Sequence, residues 1–216
     1  MVALPDPPLE LETVHRYVRP LTPEEFWALP VVQQAPGQVE LVDGEVHEMP
    51  PVGGQHGETA TPLLAALHAH VRANGARALG RVVGETAYRL TFPGGRPPAV
   101  RGPDVSFISA ARLAGAGITP VDPLPKAFVA AAPELAVEVL SDHERHNPAQ
   151  VRAKLRDYEE GGVLLVWYVD ADPRAVRAYD FRGPRRRVRL LRGDAVLTAP
   201  GVLPGFRLPL RDLWAG

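Results

Sequence analysis

The chain has 216 residues, an apolar fraction of 45% and a formal net charge of −1. This length suits one domain, and the apolar fraction supplies a sizeable core. The sequence contains no cysteine, which excludes a disulfide framework and a thiolate zinc site. No apolar run approaches the roughly 18 residues of a membrane span, and residues 1–12 do not resemble a signal peptide. We therefore expect a cytoplasmic protein with no membrane partner.

The charges are unevenly distributed along the chain. Residues 1–60 contain ten acidic residues and two arginines, which gives −8. Residues 61–192 contain twenty basic and thirteen acidic residues, which gives +7. The acidic part either lies over a basic body or contributes metal-binding carboxylates, while the simplest interpretation is that most of these charges are solvated.

A helix is predicted after an irregular lead-in over residues 1–20. Thr22 supplies the cap, Pro23 occupies the first helical position, and Glu25 stands three residues after the cap. This helix should end near Pro30. We expect the rest of the chain, from residue 21 to 216, to form a single domain.

A β-hairpin and a long helix follow. Asp43-Gly44 lies between the segments 38–42 and 45–49, and Asp-Gly in such a position is a strong signal for a tight hairpin. Residues 50–55 are predicted to be a loop. Residues 56–74 are predicted to be helical because leucines and a valine recur there at helical spacing.

The middle of the chain predicts short elements separated by loops. Strands are expected near 78–84 and 85–92, followed by a Pro/Gly loop over 93–103. Residues 104–108 are predicted to form a strand. Residues 109–132 show little periodicity, so we expect no regular element there.

The C-terminal half begins with a near-continuous apolar run over residues 135–140, which is typical of a strand buried on both faces. Residues 141–147 are interpreted as a solvated loop, and Asn147-Pro148 opens a helix that ends near Glu160. Residues 163–169 are predicted to form a second buried strand. The remaining predicted elements are edge strands over 175–181 and 186–191 and a short helix over 210–214. The mixture predicts an α/β fold whose mixed sheet has 104–108, 135–140 and 163–169 as core strands.

Glu138 is the most informative single residue, because it interrupts the apolar run. An unpaired buried carboxylate is very costly. It therefore needs a cation, a bound proton or a position at the open end of its strand. A salt-bridged core glutamate, or an edge strand that shows this face to water, would explain the pattern equally simply.

Asp104 begins the preceding core strand. An Asp there could simply cap backbone groups of the loop. Two neighbouring strands that each offer one acid are also a candidate site for a divalent cation, since hard cations such as Mg²⁺ take oxygen ligands.

Lys154 lies on the predicted helix 148–160. Val151, Leu155 and Tyr158 share its helix face, and that face is the apolar one. A lysine there either extends to water or meets a carboxylate. In the second case its ammonium should lie within about 4 Å of Glu138 or Asp104, a separation at which opposite charges interact strongly.

Other polar residues are weaker candidates. Glu40 and Glu45 lie on the hairpin and could add a metal ligand. His56 begins the long helix, where a histidine could bind phosphate or water. Each of these residues, taken alone, is more often structural. Ser141 with His143 would suit a hydrolase of another kind, but no Gly-x-Ser-x-Gly elbow surrounds Ser141.

The ordered set of these residues resembles the Uma2-like, or DUF820, branch of the PD-(D/E)XK nuclease superfamily. The matching segments are Glu40 to Glu45, His56, Pro103-Asp104, Pro133 to Ser141, Lys154 with Tyr158, Gly162 to Trp167, and Gly205 to Leu213. The resemblance implies a restriction-endonuclease-like fold, in which helices flank a mixed sheet and extra strands are added at both ends of the chain.

The resemblance also implies a site. Asp104 and Glu138 would bind Mg²⁺ or Mn²⁺ with Glu40 as a candidate third ligand, and Lys154 would be the catalytic lysine. His56 and Tyr158 would have supporting roles. Two positions depart from the superfamily pattern: Leu140 replaces the usual lysine two residues after the Glu, and Gln150 replaces an acid four residues before Lys154.

These observations favour a metal-dependent endonuclease that hydrolyses phosphodiester bonds of nucleic acid, with DNA as the expected substrate. A homodimer is expected by analogy, since two sites can cut two strands. The alternative is a nuclease-fold module that binds nucleic acid or protein without cleaving it. The near-neutral charge, Gln150 and the lack of a separate DNA-reading segment favour that alternative.

Overall fold

The structure is a computed structural model that describes residues 13–214. In chain order, the strands are β1 (Thr13–His15), β2 (Val39–Val42), β3 (Glu45–Glu48), β4 (Gly80–Gly84), β5 (Tyr88–Leu90), β6 (Ala99–Arg101), β7 (Val105–Ser109), β8 (Leu135–Val139), β9 (Leu165–Asp170), β10 (Ala175–Asp180), β11 (Arg187–Arg192), β12 (Val196–Ala199) and β13 (Leu203–Pro209). The helices are α1 (Pro23–Trp27), α2 (Pro30–Gln34), α3 (Gly54–Ala73), α4 (Ala110–Gly115), α5 (Asp142–His146), α6 (Pro148–Glu160) and α7 (Leu210–Leu213).

A six-stranded mixed sheet forms the centre of the fold, in the order β11-β10-β9-β8-β7-β4. Strands β8 and β9 are parallel, and the other neighbours are antiparallel. The three predicted core strands are β7, β8 and β9, so this prediction is confirmed. Strand β8 is buried at every position, as its apolar run indicated.

Helices cover both faces of this sheet. Leu63 and Leu67 of α3 pack with β7 and β8 in one hydrophobic cluster. Leu155 and Tyr158 of α6 pack with Ala136 and Tyr168 in a second cluster on the opposite face. The predicted arrangement, an α/β fold with helices flanking a mixed sheet, is confirmed.

The extra strands at both ends of the chain are also present. A five-stranded sheet in the order β1-β3-β2-β6-β5 contains the N-terminal strands, and β12 pairs with β13 near the C-terminus. The predicted hairpin is β2–β3, and Asp43 and Gly44 both have positive φ values, 51° and 81°. Such values are what a tight two-residue turn requires.

The beginning of α1 is formed as the sequence predicts. The Thr22 hydroxyl accepts a hydrogen bond from the Glu25 N–H at 3.2 Å, and a Glu25 carboxylate oxygen accepts from the Thr22 N–H at 2.9 Å. The helix ends at Trp27, and Pro30 starts the separate helix α2. The prediction of one helix up to Pro30 was therefore slightly too long.

The lead-in prediction was wrong for part of its range. Residues 13–15 form β1, which pairs antiparallel with β3 through Val14 and His47. Residues 1–12 lie outside the described residues. Three residues carry too little periodicity to reveal a strand, and its partner strand supplies the order instead.

Three predicted loops contain regular elements. Strand β6 lies within 93–103, α4 within 109–132 and α5 within 141–147. Each is only three to six residues long. The helices α4 and α5 depend on serine caps: the Ser109 hydroxyl accepts from the Arg112 N–H and the Ser141 hydroxyl from the Glu144 N–H. Caps stabilise short helices that apolar periodicity cannot reveal.

Within residues 13–214, no helix has both the length and the apolar character needed to cross a bilayer.

Candidate active site

Strand register brings the two predicted acids together. Strands β7 and β8 are antiparallel with Val105 opposite Val137. Extending this register by one residue places Asp104 opposite Glu138, and opposite residues of an antiparallel pair share a face. Asp104 Oδ2 accepts a hydrogen bond from the Val139 N–H at 2.6 Å. The backbone of β8 therefore fixes the position of the Asp104 carboxylate.

Helix α6 supplies the two partners of Glu138. The Lys154 ammonium donates to Glu138 Oε2 at 2.9 Å, and the Tyr158 hydroxyl donates to Glu138 Oε1. Glu138 is 2% exposed and Lys154 is 5% exposed. The predicted approach of Lys154 to within about 4 Å of Glu138 or Asp104 is therefore confirmed. It arises because Lys154 and Tyr158, four residues apart, lie on the helix face that packs on the sheet.

Glu40 lies on the other side of Lys154. Glu40 Oε1 is 3.1 Å from the Lys154 ammonium and accepts from the Gly102 N–H at 3.0 Å. Glu40 Oε2 accepts from Arg101 Nη1 at 2.5 Å. Strand β2 thus brings a second buried carboxylate to the lysine, and two carboxylates hold its ammonium in one place.

Arg101 connects this lysine site to the interior. It is 5% exposed, and its guanidinium also donates to Asp157, which is completely buried. The second oxygen of Asp157, Oδ1, lies 2.6 Å from Arg96 Nη2. The buried network therefore joins β2, β6 and α6, and it positions Glu40 and, through it, Lys154.

His56 contacts the other acid. It lies in the first turn of α3, and its Nε2 is 3.1 Å from Asp104 Oδ2. Burial lowers the pKa of His56, but the hydrogen bond and the negative charge of Asp104 outweigh burial and raise this pKa above its ordinary value. The contact with Asp104 therefore favours the protonated form of His56, which lines the cleft.

The two buried glutamates differ in their electrostatics. Burial raises the pKa of Glu138 to about 8, with Asp104 and Glu40 acting in the same direction and Lys154 against them. Burial alone would raise the pKa of Glu40, but Lys154 and Arg101 outweigh burial and lower it to about 2. Lys154 alone thus does not outweigh the burial of Glu138, whereas Lys154 and Arg101 together outweigh the burial of Glu40.

A cleft of about 260 Å³ opens at this end of the sheet. Asp104, Glu138, Lys154 and His56 all line it. Glu40 and Tyr158, which are 1% and 0% exposed, lie behind these residues. The structure therefore brings four of the six predicted site residues to the lining of one cleft. The other two lie directly behind this lining.

The acids facing the cleft fit a hard divalent cation. Among residues 13–214, no group of three His, Asp or Glu side chains is arranged as a ready-made metal site. Mg²⁺, however, is commonly held by one or two carboxylates together with waters and substrate phosphates. Asp104 and Glu138 match that donor set, and a bound cation would offset the burial that raises the pKa of Glu138. Glu40 does not line the cleft, and its oxygens have the partners Arg101, Gly102 and Lys154. Its role as a third ligand stays a prediction.

The sequence interpretation missed three residues in or near the site. Glu144 lines the cleft from α5, where its Oε2 accepts from the Ser141 N–H at 2.9 Å. Ser141-x-x-Glu144 is a capping-box pattern, so a signal was present in the predicted loop. His143, interpreted as part of the same solvated loop, also lines the cleft. Arg101 gave no signal, because its burial results from pairing with distant acids.

The mixed sheet with helices on both faces places the chain in the class of restriction-endonuclease-like folds. A family model, Uma2, described as "Putative restriction endonuclease", matches residues 23–211. The chain belongs to the Uma2 family.

A solved structure supports the same fold. It is described as "a putative nuclease belonging to DUF820" and comes from Anabaena variabilis ATCC 29413. It is 21% identical with a TM-score of 0.66, and the match covers 91% of this chain and 98% of that chain. The search of curated proteins gave no match.

Proposed function

We propose that the protein is a divalent-metal-dependent endonuclease that hydrolyses phosphodiester bonds in nucleic acid, with DNA as its substrate. One observation carries the proposal: Asp104 and Glu138 lie opposite each other in register, and Lys154 is 2.9 Å from Glu138. Membership of a family of restriction-endonuclease-like proteins supports the same reaction class.

Asp104 and Glu138 would hold the cation, either Mg²⁺ or Mn²⁺. When bound, such a cation lowers the pKa of a coordinated water and polarises the phosphate. Glu138 is held by Tyr158, and Asp104 is held by the Val139 N–H. These contacts fix both carboxylates before substrate arrives, so little reorganisation is needed at the moment of reaction.

Lys154 would stabilise charge on the scissile phosphate or orient the attacking water. An ammonium has three donors. Glu138 and Glu40 engage two of them, at 2.9 and 3.1 Å. The third is available to a phosphate oxygen or a water in the cleft that Lys154 lines. Glu40 acts here as a positioning residue, because it holds the lysine without facing the cleft.

His56 would contact a phosphate that flanks the scissile bond. Its raised pKa favours the imidazolium, which donates from both ring nitrogens. Nε2 faces Asp104 at 3.1 Å, so Nδ1 is the atom left for substrate. This would place a positive charge beside the cation site, where the nucleic-acid backbone must pass.

Cleavage assays test the proposed function. Purified protein is incubated with supercoiled plasmid, linear duplex and single-stranded DNA, with Mg²⁺ or Mn²⁺ and in parallel with EDTA. We expect cleavage that EDTA and Glu138→Gln both abolish. Glu58→Gln is the matched control, because Glu58 is exposed on α3. This variant should cleave DNA as wild type does. If no substrate is cut in either metal, the nuclease proposal fails.

Metal titration separates the enzyme from a second candidate, a binding module with the same fold. Lys154 already neutralises Glu138 in this structure, which is the arrangement that a non-catalytic protein would retain. For an enzyme we expect calorimetry to detect Mn²⁺ binding that Asp104→Asn weakens about tenfold or more, because the ligand loses its negative charge. Binding that Asp104→Asn leaves unchanged would favour the module.

A homodimer would suit duplex cleavage, because a symmetric pair presents two sites to two strands. Sedimentation velocity tests this assembly. A monomer at micromolar concentration, both alone and with duplex, would remove this part of the proposal.

A further inference from the structure

The β10–β11 hairpin concentrates positive charge. Residues 174–192 contain eight arginines and one acid, Asp180, which gives +7. The whole chain has a net charge of −1, so the remainder carries −8. A near-neutral protein therefore contains one strongly basic hairpin, which the total charge conceals.

Most of these arginines lack a carboxylate partner. Arg182 pairs with Asp180, and Arg186 pairs with Glu159. The other six are exposed and make no ion pair with any carboxylate of residues 13–214. We call these six residues the arginine surface: Arg174, Arg177, Arg185, Arg187, Arg189 and Arg192. Arg177 and Arg192 lie on the face of the sheet that carries Glu138, whereas Arg187 and Arg189 lie on the opposite face of the edge strand, and Arg187 is opposite Asp180.

The arginine surface adjoins the cleft. Four residues form one row across the central sheet, on β8, β9, β10 and β11 in turn: Glu138, Tyr168, Arg177 and Leu190. Residues in one such row share a face, and strands lie about 4.8 Å apart, so the Arg177 backbone is about 10 Å from that of Glu138. Arg177 and Arg192 line a depression that Leu140, just beyond Glu138 on the chain, also lines. The basic surface thus begins two strands from the acid pair.

Charge decides which partner fits this surface. Strand β11 is an edge strand, and its exposed side chains include Val188 and Leu190. Pairing with β11 of a second copy would bring arginine rows together, and like charges opposite each other destabilise a sheet. A polyanion meets no such repulsion, because every contact neutralises a phosphate and releases counterions.

We propose that the arginine surface binds the phosphate backbone of nucleic acid beside the cleavage cleft. The identity of the partner rests on the proposed function, whereas the surface itself is defined by its charge and position. It supplies affinity without base recognition, since arginine contacts to phosphates position a duplex and do not read its sequence. The near-neutral total charge therefore does not argue against a nucleic-acid partner.

Salt-dependent binding tests this inference. The triple variant Arg174→Ala, Arg177→Ala, Arg192→Ala removes the three arginines at the end of the hairpin that adjoins the cleft. It is compared with wild type for binding a fluorescent 30-mer duplex by anisotropy, in EDTA to prevent cleavage. Each lost phosphate contact should reduce the slope of log K against log salt by about 0.9, so we expect a loss of about 2 to 3. The matched control is Arg72→Ala, Arg207→Ala, Arg211→Ala, which removes equal charge from exposed positions on α3, β13 and α7. Its slope should match that of wild type.

The outcomes also separate this inference from the proposed function. If the Arg174/Arg177/Arg192 triple variant loses slope but wild type never cleaves DNA, the binding surface is supported and the nuclease proposal is not. If wild type cleaves DNA and both triple variants keep the wild-type slope, the inference is wrong and the proposed function stands. Absence of duplex binding by wild type, with binding to phosphatidylserine vesicles that the Arg174/Arg177/Arg192 variant loses, would overturn nucleic acid as the partner. Thermal unfolding of both variants confirms that they fold.

Discussion

Replacing Lys154 with methionine should lower the rate of DNA cleavage by about 10² to 10³, the usual cost of removing one donor to the charge that develops in a transition state. Its ammonium is held between Glu138 and Glu40 and faces the cleft. Methionine fills much of the same space and supplies no donor. Single-turnover cleavage at saturating Mg²⁺ measures the effect.

The fold should survive this substitution. Glu40 keeps its bonds to Arg101 and the Gly102 N–H, and Glu138 keeps Tyr158. Glu138 has a pKa of about 8, so it can carry a proton instead of remaining a buried unpaired charge. Circular dichroism and thermal unfolding should therefore resemble those of wild type.

Two further variants sharpen the Lys154 test. Lys126→Met is the matched control, because Lys126 is the other lysine of the chain and is exposed. It should cleave normally. Lys154→Arg should also cleave poorly, because a planar guanidinium cannot occupy the space of a compact ammonium between two carboxylates. If Lys154→Met cleaves within threefold of wild type, Lys154 has no catalytic role.

Replacing Arg101 with methionine should destabilise the protein by about 3 kcal/mol or more, because breaking a buried ion pair leaves a partner charge without compensation. The two partners, Glu40 and Asp157, are 1% and 0% exposed. Lys154 and Arg96 remain near them and limit the loss. Urea unfolding followed by tryptophan fluorescence measures the free energy of unfolding.

An exposed arginine is the control for this measurement. Arg152 lies on α6, near the same network, but its side chain is exposed. Arg152→Met should change the free energy of unfolding by less than about 0.5 kcal/mol. A loss below 1 kcal/mol for Arg101→Met would show that the buried network does not hold Glu40 and α6 in place.

Glu138 and Lys154 could be predicted from sequence because each violates a local pattern. Glu138 is a charge within a buried strand, and Lys154 is a charge on the apolar face of a helix. Such positions are costly unless a partner is present, so their rarity is itself a signal. Asp104 followed from its place at the start of the neighbouring strand.

The supporting contacts could not be predicted in the same way. Arg101 is 56 residues from Asp157 and 61 residues from Glu40, and nothing near it in the chain reveals that they meet. The sequence could therefore suggest a metal-ligand role for Glu40, but it could not show that Lys154 and Arg101 contact this carboxylate. Strand β6, which carries Arg101, exists because β2 and β5 flank it.

The most direct test of the account is a crystal structure soaked in Mn²⁺ and measured for anomalous scattering. If Asp104 and Glu138 form the metal site, a peak should lie about 2.1 Å from an oxygen of each carboxylate, a distance typical of small hard cations. Glu40 should remain bonded to Arg101. A peak elsewhere would contradict the proposed metal site. So would the absence of any peak in a structure where the Lys154 ammonium still contacts Glu138.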